Sequence, residues 1–489
     1  MAELEVKGKE QTWGAILGVV LFAVMLLAPP PAGMPLEAWR VAAVAVLMAV
    51  WWTSEALPLP ATALLPIVLF PLLGAAAPAV AAAPYADPII FLLLGGFILG
   101  SAMQRWLLHK RIGLIAILLI GTTPNRLIGG FMLATALLSM WVSNSATAIM
   151  MLPVAVSIVA LLDDRETGRK IRATAGAHNF AVALMLAVAY GSSIGGLGTL
   201  IGTPPNAVLA AYMAREHGVT IGFAEWMVLA LPVVAVMLAG TWLILTRLHP
   251  VGATIAGNAE LVVRQELKAM GPLSNGDRRV IAVFCATALA WVLRPLYGHL
   301  IPGLEDAQIA VVSAIALFLL PSGAPGGGRL LAWDDLKVLP WGVLILLGGG
   351  MSLAGAISGS GLSAWLGSML GAVALWPTLL IIAIVTVGMI FLTELTSNTA
   401  SAATFLPIGA ALAMGVGLDP IVLTVPLALA ASCAFMLPVA TPPNAIVFAS
   451  GQITIRQMVY AGFWVNILGS VVVVGASYFL AGALFGSSR

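Results

Sequence analysis

The phrase S-N-S-A-T-A-I-M-M-L-P runs from Ser143 to Pro153, and a near copy, S-N-T-A-S-A-A-T-F-L-P, runs from Ser397 to Pro407. Both phrases lie deep inside apolar sequence. Hydroxyl and amide side chains are costly in the hydrocarbon of a membrane unless they line something polar. Because the phrase occurs twice, we expect a single polar site that is assembled from two halves of the chain.

The composition places the chain in a membrane. Of its 489 residues, 61% are hydrophobic and only 9% are charged, whereas a soluble domain carries about 25% charged residues. Long apolar runs recur along the chain, so we predict an all-α, polytopic membrane protein with about 11 transmembrane helices. The apolar run that starts at Trp13 is interpreted as a retained first helix rather than a signal peptide. Cys285 and Cys433 form neither a disulfide framework nor a metal motif.

Other landmarks repeat at the spacing of the two phrases, which is 254 residues. Gly95-Gly96 pairs in this way with Gly349-Gly350. A second pair of phrases, T-P-P-N-A from Thr203 and again from Thr441, repeats at the shorter spacing of 238 residues. These spacings predict an internal repeat whose second copy is slightly shortened.

Charge predicts that the two copies are inverted. The basic residues that follow the first Gly-Gly pair and the first S-N-S phrase are Arg105, Lys110, Arg111, Arg165, Arg169, Lys170 and Arg172. The equivalent stretches of the second copy, 361–376 and 415–420, contain no Lys or Arg. Since Lys and Arg collect in cytoplasmic loops, equivalent loops should face opposite sides of the membrane, which defines inverted-topology repeats.

Four segments carry the polar phrases. The stretches 125–161 and 378–414 are too long for one crossing of about 20 residues. We expect re-entrant hairpins with the phrase at the tip, because non-helical backbone is tolerated at membrane depth where it lines a cavity; two full spans joined by a turn are the alternative. The Pro-Pro pairs interrupt 177–212 and 420–449, which predicts two discontinuous helices. One such break is more often a structural kink, but a repeated pair favours a binding role.

The repeat defines the expected domains. An N-terminal helix covers 1–36, the first repeat covers 37–248, a linker covers 249–279 and the second repeat covers 280–489. The amphipathic run 259–270 within the linker predicts a short interfacial helix, although a plain linker is the alternative.

The phrases offer ligands to a cation and to an anion. Free carbonyls at a broken helix suit a hard cation such as Na⁺, whereas free N–H groups and the positive end of a helix suit a carboxylate. The amides of Asn144 and Asn398 can bridge the two ions. Ser139 and Thr393 lie one turn before the phrases and can face the same point, although either hydroxyl alone is more often bonded to its own helix.

Two further features concern charge. No Lys, Arg or His lies within the tips or the breaks. A buried dianion would therefore need bound cations, unless an Arg reaches in from elsewhere in the chain. Glu394, beside Thr393, is either a cation or proton coupler or an anchor for hydrogen bonds, and the second role is the more frequent one.

These residues resemble the divalent anion/sodium symporter family, which includes bacterial dicarboxylate and animal citrate transporters. The resemblance covers nearly the whole chain, including the W-W-T-S-E-A-L-P-L-P run from Trp51 to Pro60. It implies a homodimer in the inner (plasma) membrane, in which a transport domain moves against a scaffold as an elevator. In one departure, the first tip reads S-N-S where many relatives read S-N-T, which leaves pocket size and substrate preference open.

The resemblance also implies the ligands of each ion. The first Na⁺ would be bound by Ser139, Ser143, Asn144 and the backbone near Gly202, and the second by Thr393, Ser397, Asn398 and the backbone at Ala440. Substrate carboxylates would contact Asn144, Ser145, Thr203, Asn398, Thr399, Thr441 and Pro442.

The leading hypothesis is sodium-coupled uptake of a small di- or tricarboxylate such as succinate, malate, fumarate or citrate. Na⁺ would be the co-transported ion, with no other cofactor, and the partners would be this substrate, membrane lipid and a second subunit, without nucleic acid.

A sodium-independent dicarboxylate exchanger and a carrier of sulfate or another divalent anion are the alternatives. A hydrolase with His178 as base is disfavoured, because the phrases are duplicated without a duplicated His. A passive channel would need neither a sodium set nor two gated halves.

Overall fold

The structure is a computed structural model that describes residues 2–121, 123–160, 175–251, 259–323, 327–369 and 375–481. Within these residues the chain is helical and contains no β-strand, and its one isolated β-bridge pairs Pro321 with Arg329. The all-α prediction is therefore confirmed. The basic residues 165–172, which contributed to the prediction of inverted repeats, lie outside the described residues.

The helices of the first half and the linker follow the apolar runs of the sequence. In chain order they are α1 (Ala2–Leu27), α2 (Leu36–Ser54), α3 (Leu59–Thr62), α4 (Leu65–Leu72), α5 (Pro78–Ala82), α6 (Pro88–Arg105), α7 (Leu108–Ile120), α8 (Pro124–Ser139), α9 (Asn144–Ala160), α10 (Ala175–Gly196), α11 (Pro204–His217), α12 (Phe223–Leu248) and α13 (Ala259–Ala269).

The second half continues with the same kinds of element. Its helices are α14 (Asn275–Tyr297), α15 (Asp306–Leu319), α16 (Trp341–Gly359), α17 (Leu362–Met369), α18 (Thr378–Thr393), α19 (Asn398–Gly415), α20 (Ile421–Ala431), α21 (Pro442–Phe448) and α22 (Ile455–Ala476). Short 3₁₀ segments cover Ala83–Ala86, Gly298–Leu300 and Trp333–Val338, and a π-helical turn covers Ser477–Ala481.

Seven helical segments of the described chain are long and apolar enough to cross a membrane. They are Leu36–Ser54, Pro78–Arg105, Gly176–Gly196, Phe223–Leu248, Asn275–Leu300, Trp341–Gly359 and Ile455–Leu480. The described chain also contains six shorter apolar helices, which are Gln11–Leu27, Leu59–Leu72, Asn144–Ala160, Asp306–Leu319, Thr378–Thr393 and Ile421–Ala431. These helices are consistent with the polytopic membrane protein that the sequence predicts.

Two helix pairs contain the repeated phrases. In each pair a four-residue turn, 140–143 or 394–397, joins helices of 16 to 18 residues. At a rise of 1.5 Å per residue such helices reach about 24 to 27 Å, less than the hydrocarbon core of about 30 Å. Their length favours the re-entrant hairpin over two full spans.

The buried core is centred on α10. Every side chain from Phe180 to Tyr190 is buried, and α10 packs against α8, α9, α12 and α21. Its contact with α8 is close because Gly191 and Gly195 face the backbone of Met132 and Ala136, where a Cβ atom would collide with the carbonyl oxygens. The first broken helix is therefore held in the interior.

The linker forms the expected amphipathic helix, α13, which packs against α7 and α9. The Lys110 ammonium pairs with the Glu266 carboxylate at 2.7 Å, and the Arg111 guanidinium donates to the Gly271 carbonyl at 2.8 Å. These contacts fasten the linker to the first half. The position of α13 at a membrane interface stays a prediction.

Candidate functional site

Both tips and both breaks border one cavity of about 1130 Å³. The tip residues that line it are Ser143, Asn144, Ser145, Ser397, Asn398 and Thr399, and the break residues are Ile201, Gly202, Thr203, Pro204, Val439, Ala440, Thr441, Pro442 and Pro443. The fold thus brings the repeated phrases of both halves together, because α9 packs against α21 and α19 packs against α11.

The opposite wall of the cavity was not predicted as part of the site. It consists of Trp52, Thr53, Glu55, Leu59, Phe97, Val338, Pro340 and Val343. Glu55 ends α2 in a left-handed conformation, with φ of 48°, so the backbone turns sharply at the cavity. The W-W-T-S-E run could have indicated this wall, since a polar T-S-E sequence follows apolar helix there.

The cavity offers no basic side chain to an anion. Among the lining residues of the described chain, Glu55 is the one charged residue, and none is Lys, Arg or His. Positive potential there can come from helix N-termini and from bound cations. Three helices of 14 or more residues, α9, α11 and α19, begin at the cavity.

The first tip is organised around Asn144, the first residue of α9. Its Oδ1 accepts a hydrogen bond from the Ser139 hydroxyl at 2.5 Å, and its backbone carbonyl accepts one from the Ser192 hydroxyl at 2.7 Å. Ser139 is fully buried and lies behind Asn144 rather than on the cavity wall. Ser192 was missed, because a serine within the apolar run of α10 carries no sequence signal of its own.

Gly196 packs closely against the first tip. A Cβ atom placed on Gly196 would lie 2.7 Å from Asn144 Oδ1, 3.0 Å from Asn144 Nδ2 and 3.1 Å from the Gly202 carbonyl oxygen, so only glycine fits at this position. The oxygen atoms of Asn144 and Gly202 therefore lie near one another, and hard cations prefer oxygen ligands.

The second tip repeats this arrangement around Asn398. Its Oδ1 accepts from the Thr393 hydroxyl at 2.8 Å, and the same hydroxyl lies 2.9 Å from the Ala431 carbonyl. Thr393 is fully buried. Ala434 stands 238 residues after Gly196, so a residue with a methyl group takes the position of the glycine.

The asparagines of the breaks hold equivalent carbonyl groups. Asn206 Nδ2 donates to the carbonyls of Gly196 at 3.2 Å and Thr199 at 2.8 Å. Asn444 Nδ2 donates to those of Ala434 at 3.3 Å and Leu437 at 3.0 Å. Each acceptor in the second half stands 238 residues after its counterpart. The Pro-Pro-Asn phrase therefore closes the break in the same way twice.

Glu394 holds the second break and is buried. Its carboxylate accepts from the backbone N–H groups of Phe435 at 2.7 Å, Met436 at 2.9 Å and Leu437 at 3.1 Å. It also accepts from the side-chain amide of Asn466 at 2.7 Å. These contacts are those of a hydrogen-bond anchor, the second of the two roles considered from the sequence. Asn466 was missed, although a lone Asn in the apolar run of α22 is a signal.

The first tip has a different support, a cluster of aromatic rings. The ring of Trp141 stacks on Phe223 and Trp291 at centroid distances of 5.9 and 6.5 Å and meets the edge of Phe284 at 5.0 Å. Leu395, which stands 254 residues later, is 70% exposed and lines the cavity. The two equivalent turns are therefore fixed by unrelated contacts.

Comparison with known proteins covers the whole chain. The family model described as the sodium:sulfate symporter transmembrane region matches residues 9–485. A sodium-dependent dicarboxylate transporter, SdcS, of Staphylococcus saprophyticus is 41% identical over 483 residues, which are 97% of this chain and 92% of the relative. The protein of the same name from Staphylococcus aureus strain USA300 is 40% identical over the same shares.

Solved structures share the fold at low sequence identity. The YdaH transporter of Alcanivorax borkumensis aligns with a TM-score of 0.54 and 14% identity, over 97% of this chain and 98% of that protein. MtrF of Neisseria gonorrhoeae, described as an antimetabolite efflux pump, aligns with a TM-score of 0.50 and 12% identity, over 96% and 95% of the two chains. At these identities the likeness concerns the fold alone.

Proposed function

The chain belongs to the sodium:sulfate symporter family, and from this membership we propose that it couples Na⁺ entry to the uptake of small di- or tricarboxylates. Membership makes it a multi-pass membrane transporter rather than an enzyme, as the sequence predicts. The name of the relatives that are about 40% identical supports a dicarboxylate substrate, such as succinate, malate or fumarate, with citrate as a larger candidate.

The observation that carries the proposal is the cavity formed by the duplicated phrases. It has polar tips from both halves and no Lys, Arg or His among its described lining residues. A dianion in such a cavity meets only partial positive charges of helix N-termini, of about half an elementary charge each. Bound cations supply the missing charge, so binding of the dianion and of Na⁺ becomes mutually dependent.

Two cation sites follow from the repeat. We assign the first Na⁺ to Ser139, Ser143, Asn144 and the Gly202 backbone, supported by the proximity of Asn144 Oδ1 and the Gly202 carbonyl oxygen beside Gly196. We assign the second to Thr393, Ser397, Asn398 and the Ala440 backbone, supported by the bond between the Thr393 hydroxyl and Asn398. In each site the asparagine Oδ1 faces the buried hydroxyl, which leaves its NH₂ group as a donor.

The substrate lies between the tips in this proposal. Its carboxylates contact Asn144, Ser145, Thr203, Asn398, Thr399, Thr441 and Pro442, which all line the cavity. The starts of α9 and α19 direct free N–H groups to the same volume. Two tips that each bind a carboxylate suit a dicarboxylate better than a compact sulfate, which would reach one tip at a time.

We further propose an elevator mechanism in which the hairpins and broken helices move as a unit against a scaffold. The cavity supports this division, since the tips and breaks share its lining with residues of α2, α6 and the segment before α16. The inverted repeats, the domain boundaries at 36, 248 and 279 and the homodimer belong to the same proposal. Native mass spectrometry of the purified protein tests the dimer.

Net entry of positive charge would let the membrane potential drive uptake. Moving one elementary charge through 100 mV is worth about 2.3 kcal/mol. If more positive charge enters with Na⁺ than negative charge with the substrate, the potential and the sodium gradient act in the same direction. A valinomycin-induced, inside-negative potential should then accelerate uptake.

Uptake into proteoliposomes tests the function. Labelled succinate should accumulate against its gradient when external Na⁺ is high, and replacement of Na⁺ by choline should stop uptake. Uptake that persists in choline and requires internal dicarboxylate would establish the exchanger instead. Labelled sulfate, added in parallel, should be carried poorly; preferential sulfate transport would replace the proposed substrate.

Matched variants connect the function to the tips. Asn144→Ala and Asn398→Ala should each abolish sodium-driven uptake while the protein keeps its elution profile and melting temperature near those of the wild type. Asn125→Ala, the same change at an exposed residue that lines none of the cavities described, is the control and should transport normally. Normal uptake by either Asn variant would refute the paired-tip site.

A further inference from the structure

A second cavity, of about 790 Å³, lies at the end of the molecule where α12 ends and α22 begins. Its lining includes His249, Met436, Arg456, Tyr460 and Phe463. None of these residues lines the cavity between the tips. The volume is within the range of about 300 to 1,000 Å³ that small-molecule pockets occupy.

The position of this cavity corresponds to a membrane surface. His249 follows the apolar segment Phe223–Leu248, and Arg456 lies in the first turn of the apolar segment Ile455–Leu480. The cavity continues along α22 as far as Phe463, eight residues below Ile455, which is about 12 Å at the helical rise. It therefore extends from the level of the headgroups into the level of the acyl chains.

The outer part of the cavity is basic. Arg456 is exposed, and within the described part of the chain no hydrogen bond or ion pair neutralises it. No Asp or Glu is among the described lining residues. His178 contacts the Gln457 amide at 2.8 Å and adds an imidazole at the edge. An anion placed here would meet a guanidinium and no competing carboxylate.

His249 lines the cavity from the end of α12 and is 7% exposed, so its ring forms part of the wall. Burial lowers the pKa of His249 below its ordinary value, and the nearby His178 lowers it further. The positive charge in the outer part of the cavity therefore comes from Arg456.

The inner part of the cavity is apolar. Tyr460 and Phe463 are 57% and 40% exposed, and Met436 belongs to the second break. A hydrocarbon chain that follows α22 would contact these side chains after leaving the basic rim. Charge at the surface end and apolar surface at the inner end match the two parts of a phospholipid.

We propose that this cavity binds an anionic phospholipid, with its phosphodiester at Arg456 and an acyl chain along Tyr460 and Phe463. The chain would rest against Met436, whose backbone N–H group is held by Glu394. Lipid bound here stabilises the second break from the side opposite to the cavity between the tips. This inference does not depend on the identity of the transported substrate.

Native mass spectrometry of the delipidated full chain in detergent tests the site, with dioleoyl-phosphatidylglycerol, dioleoyl-phosphatidylcholine or inorganic phosphate added in turn. Phosphatidylglycerol should bind and raise the melting temperature, whereas phosphatidylcholine should bind several-fold more weakly. Inorganic phosphate should neither bind nor displace the lipid. Tight binding of inorganic phosphate alone would show a free-anion site and overturn the lipid assignment.

Two variants locate the binding. Arg456→Gln should weaken phosphatidylglycerol binding about fivefold, the equivalent of about 1 kcal/mol for one basic side chain at an anionic surface. Arg247→Gln, an exposed basic residue at the same end of α12 that does not line the cavity, is the matched control and should bind normally. Phe463→Ala should reduce binding without changing the preference for the anionic headgroup. Equal binding by wild type and Arg456→Gln, or an equal loss in Arg247→Gln, would overturn the proposal.

Discussion

The first and second breaks are closed by the same phrase but supported by different chemistry. Asn206 and Asn444 hold carbonyl groups at equivalent positions. The N–H groups of Leu197 and Gly198 then bond locally, to carbonyls three residues earlier. Their counterparts, Phe435 and Met436, bond to the buried carboxylate of Glu394 instead.

The different support of the two breaks shows which features recur in both halves of the chain and which do not. The cavity needs the tips, the asparagines and the break, and these recur in both halves. The surroundings have to satisfy buried backbone groups, which local turns and a carboxylate both achieve, and to pack the turn, which stacked rings achieve. The two halves therefore share the arrangement of the asparagines and differ in the contacts that fix it.

The largest effect is expected from Glu394→Ala. It removes the acceptor of three backbone N–H groups and of Asn466, so it should lower the unfolding free energy by more than about 3 kcal/mol, since each buried donor left unsatisfied costs about 1 to 3 kcal/mol, and abolish uptake. Thermal unfolding in detergent measures the loss. Glu394→Gln should lower the unfolding free energy by roughly half as much. Its NH₂ group would face a backbone N–H group where a carboxylate oxygen stood, but its remaining oxygen could still accept.

Met140→Leu is the control in the other half. Met140 stands 254 residues before Glu394, and its role is to offer a backbone carbonyl to the Thr199 hydroxyl at 2.5 Å. This volume-conserving change should lower the unfolding free energy by less than about 1.5 kcal/mol. If Glu394→Ala were no more harmful than Met140→Leu, the anchoring role would be wrong.

Trp141→Ala and Leu395→Ala compare the two turns. Loss of the stacked Trp141 ring should lower the free energy of unfolding by about 3 kcal/mol. Truncation of the exposed Leu395 should change it by no more than about 0.5 kcal/mol. Melting temperatures of the two variants provide the measurement. Similar values would mean that the ring cluster does not support the first tip.

Gly196→Ala tests the close packing beside the proposed first cation site. The added methyl group would approach Asn144 Oδ1 to 2.7 Å, which should cost about 1 to 3 kcal/mol as overpacking and raise the Na⁺ concentration needed for half-maximal uptake about tenfold. Gly388→Ala, at a helix position with nothing within 4 Å of the new Cβ, is the matched control. An unchanged sodium dependence in Gly196→Ala would show that the surroundings of Gly196 do not belong to the cation site.

The smallest change in stability is expected for Ser139→Ala and Thr393→Val. Each removes one buried hydroxyl that donates to a tip asparagine, worth about 1 kcal/mol. Both should nevertheless weaken the response of uptake to Na⁺ several-fold, because each asparagine loses its orienting partner. Sodium titrations of uptake would show whether the two sites are equivalent, and a normal response in either variant would exclude that hydroxyl from cation binding.

Much of the fold and of the cavity could be predicted from the sequence because the two halves carry the same short phrases at regular spacings. The spacing of Ser143 and Ser397 indicated both tips, and the Pro-Pro pairs indicated both breaks. A break needs residues that cannot continue a helix, and such residues are visible in the sequence.

The supporting contacts could not be predicted in the same way. Glu394 and Asn466 meet across 72 residues of sequence, and Trp141 meets Trp291 across 150. Such pairs depend on how the helices pack rather than on local pattern. The contribution of α2 and Glu55 to the cavity was missed because a carboxylate near the end of a membrane helix usually lies at the membrane–water interface.

The most direct test of the central claim is the calorimetric titration of the purified protein with succinate, in NaCl and in choline chloride. We predict saturable binding in NaCl, no measurable binding in choline chloride, and none in NaCl for Asn144→Ala or Asn398→Ala. Equal affinity for succinate in the two salts would contradict a cavity in which the tips bind the dicarboxylate together with Na⁺.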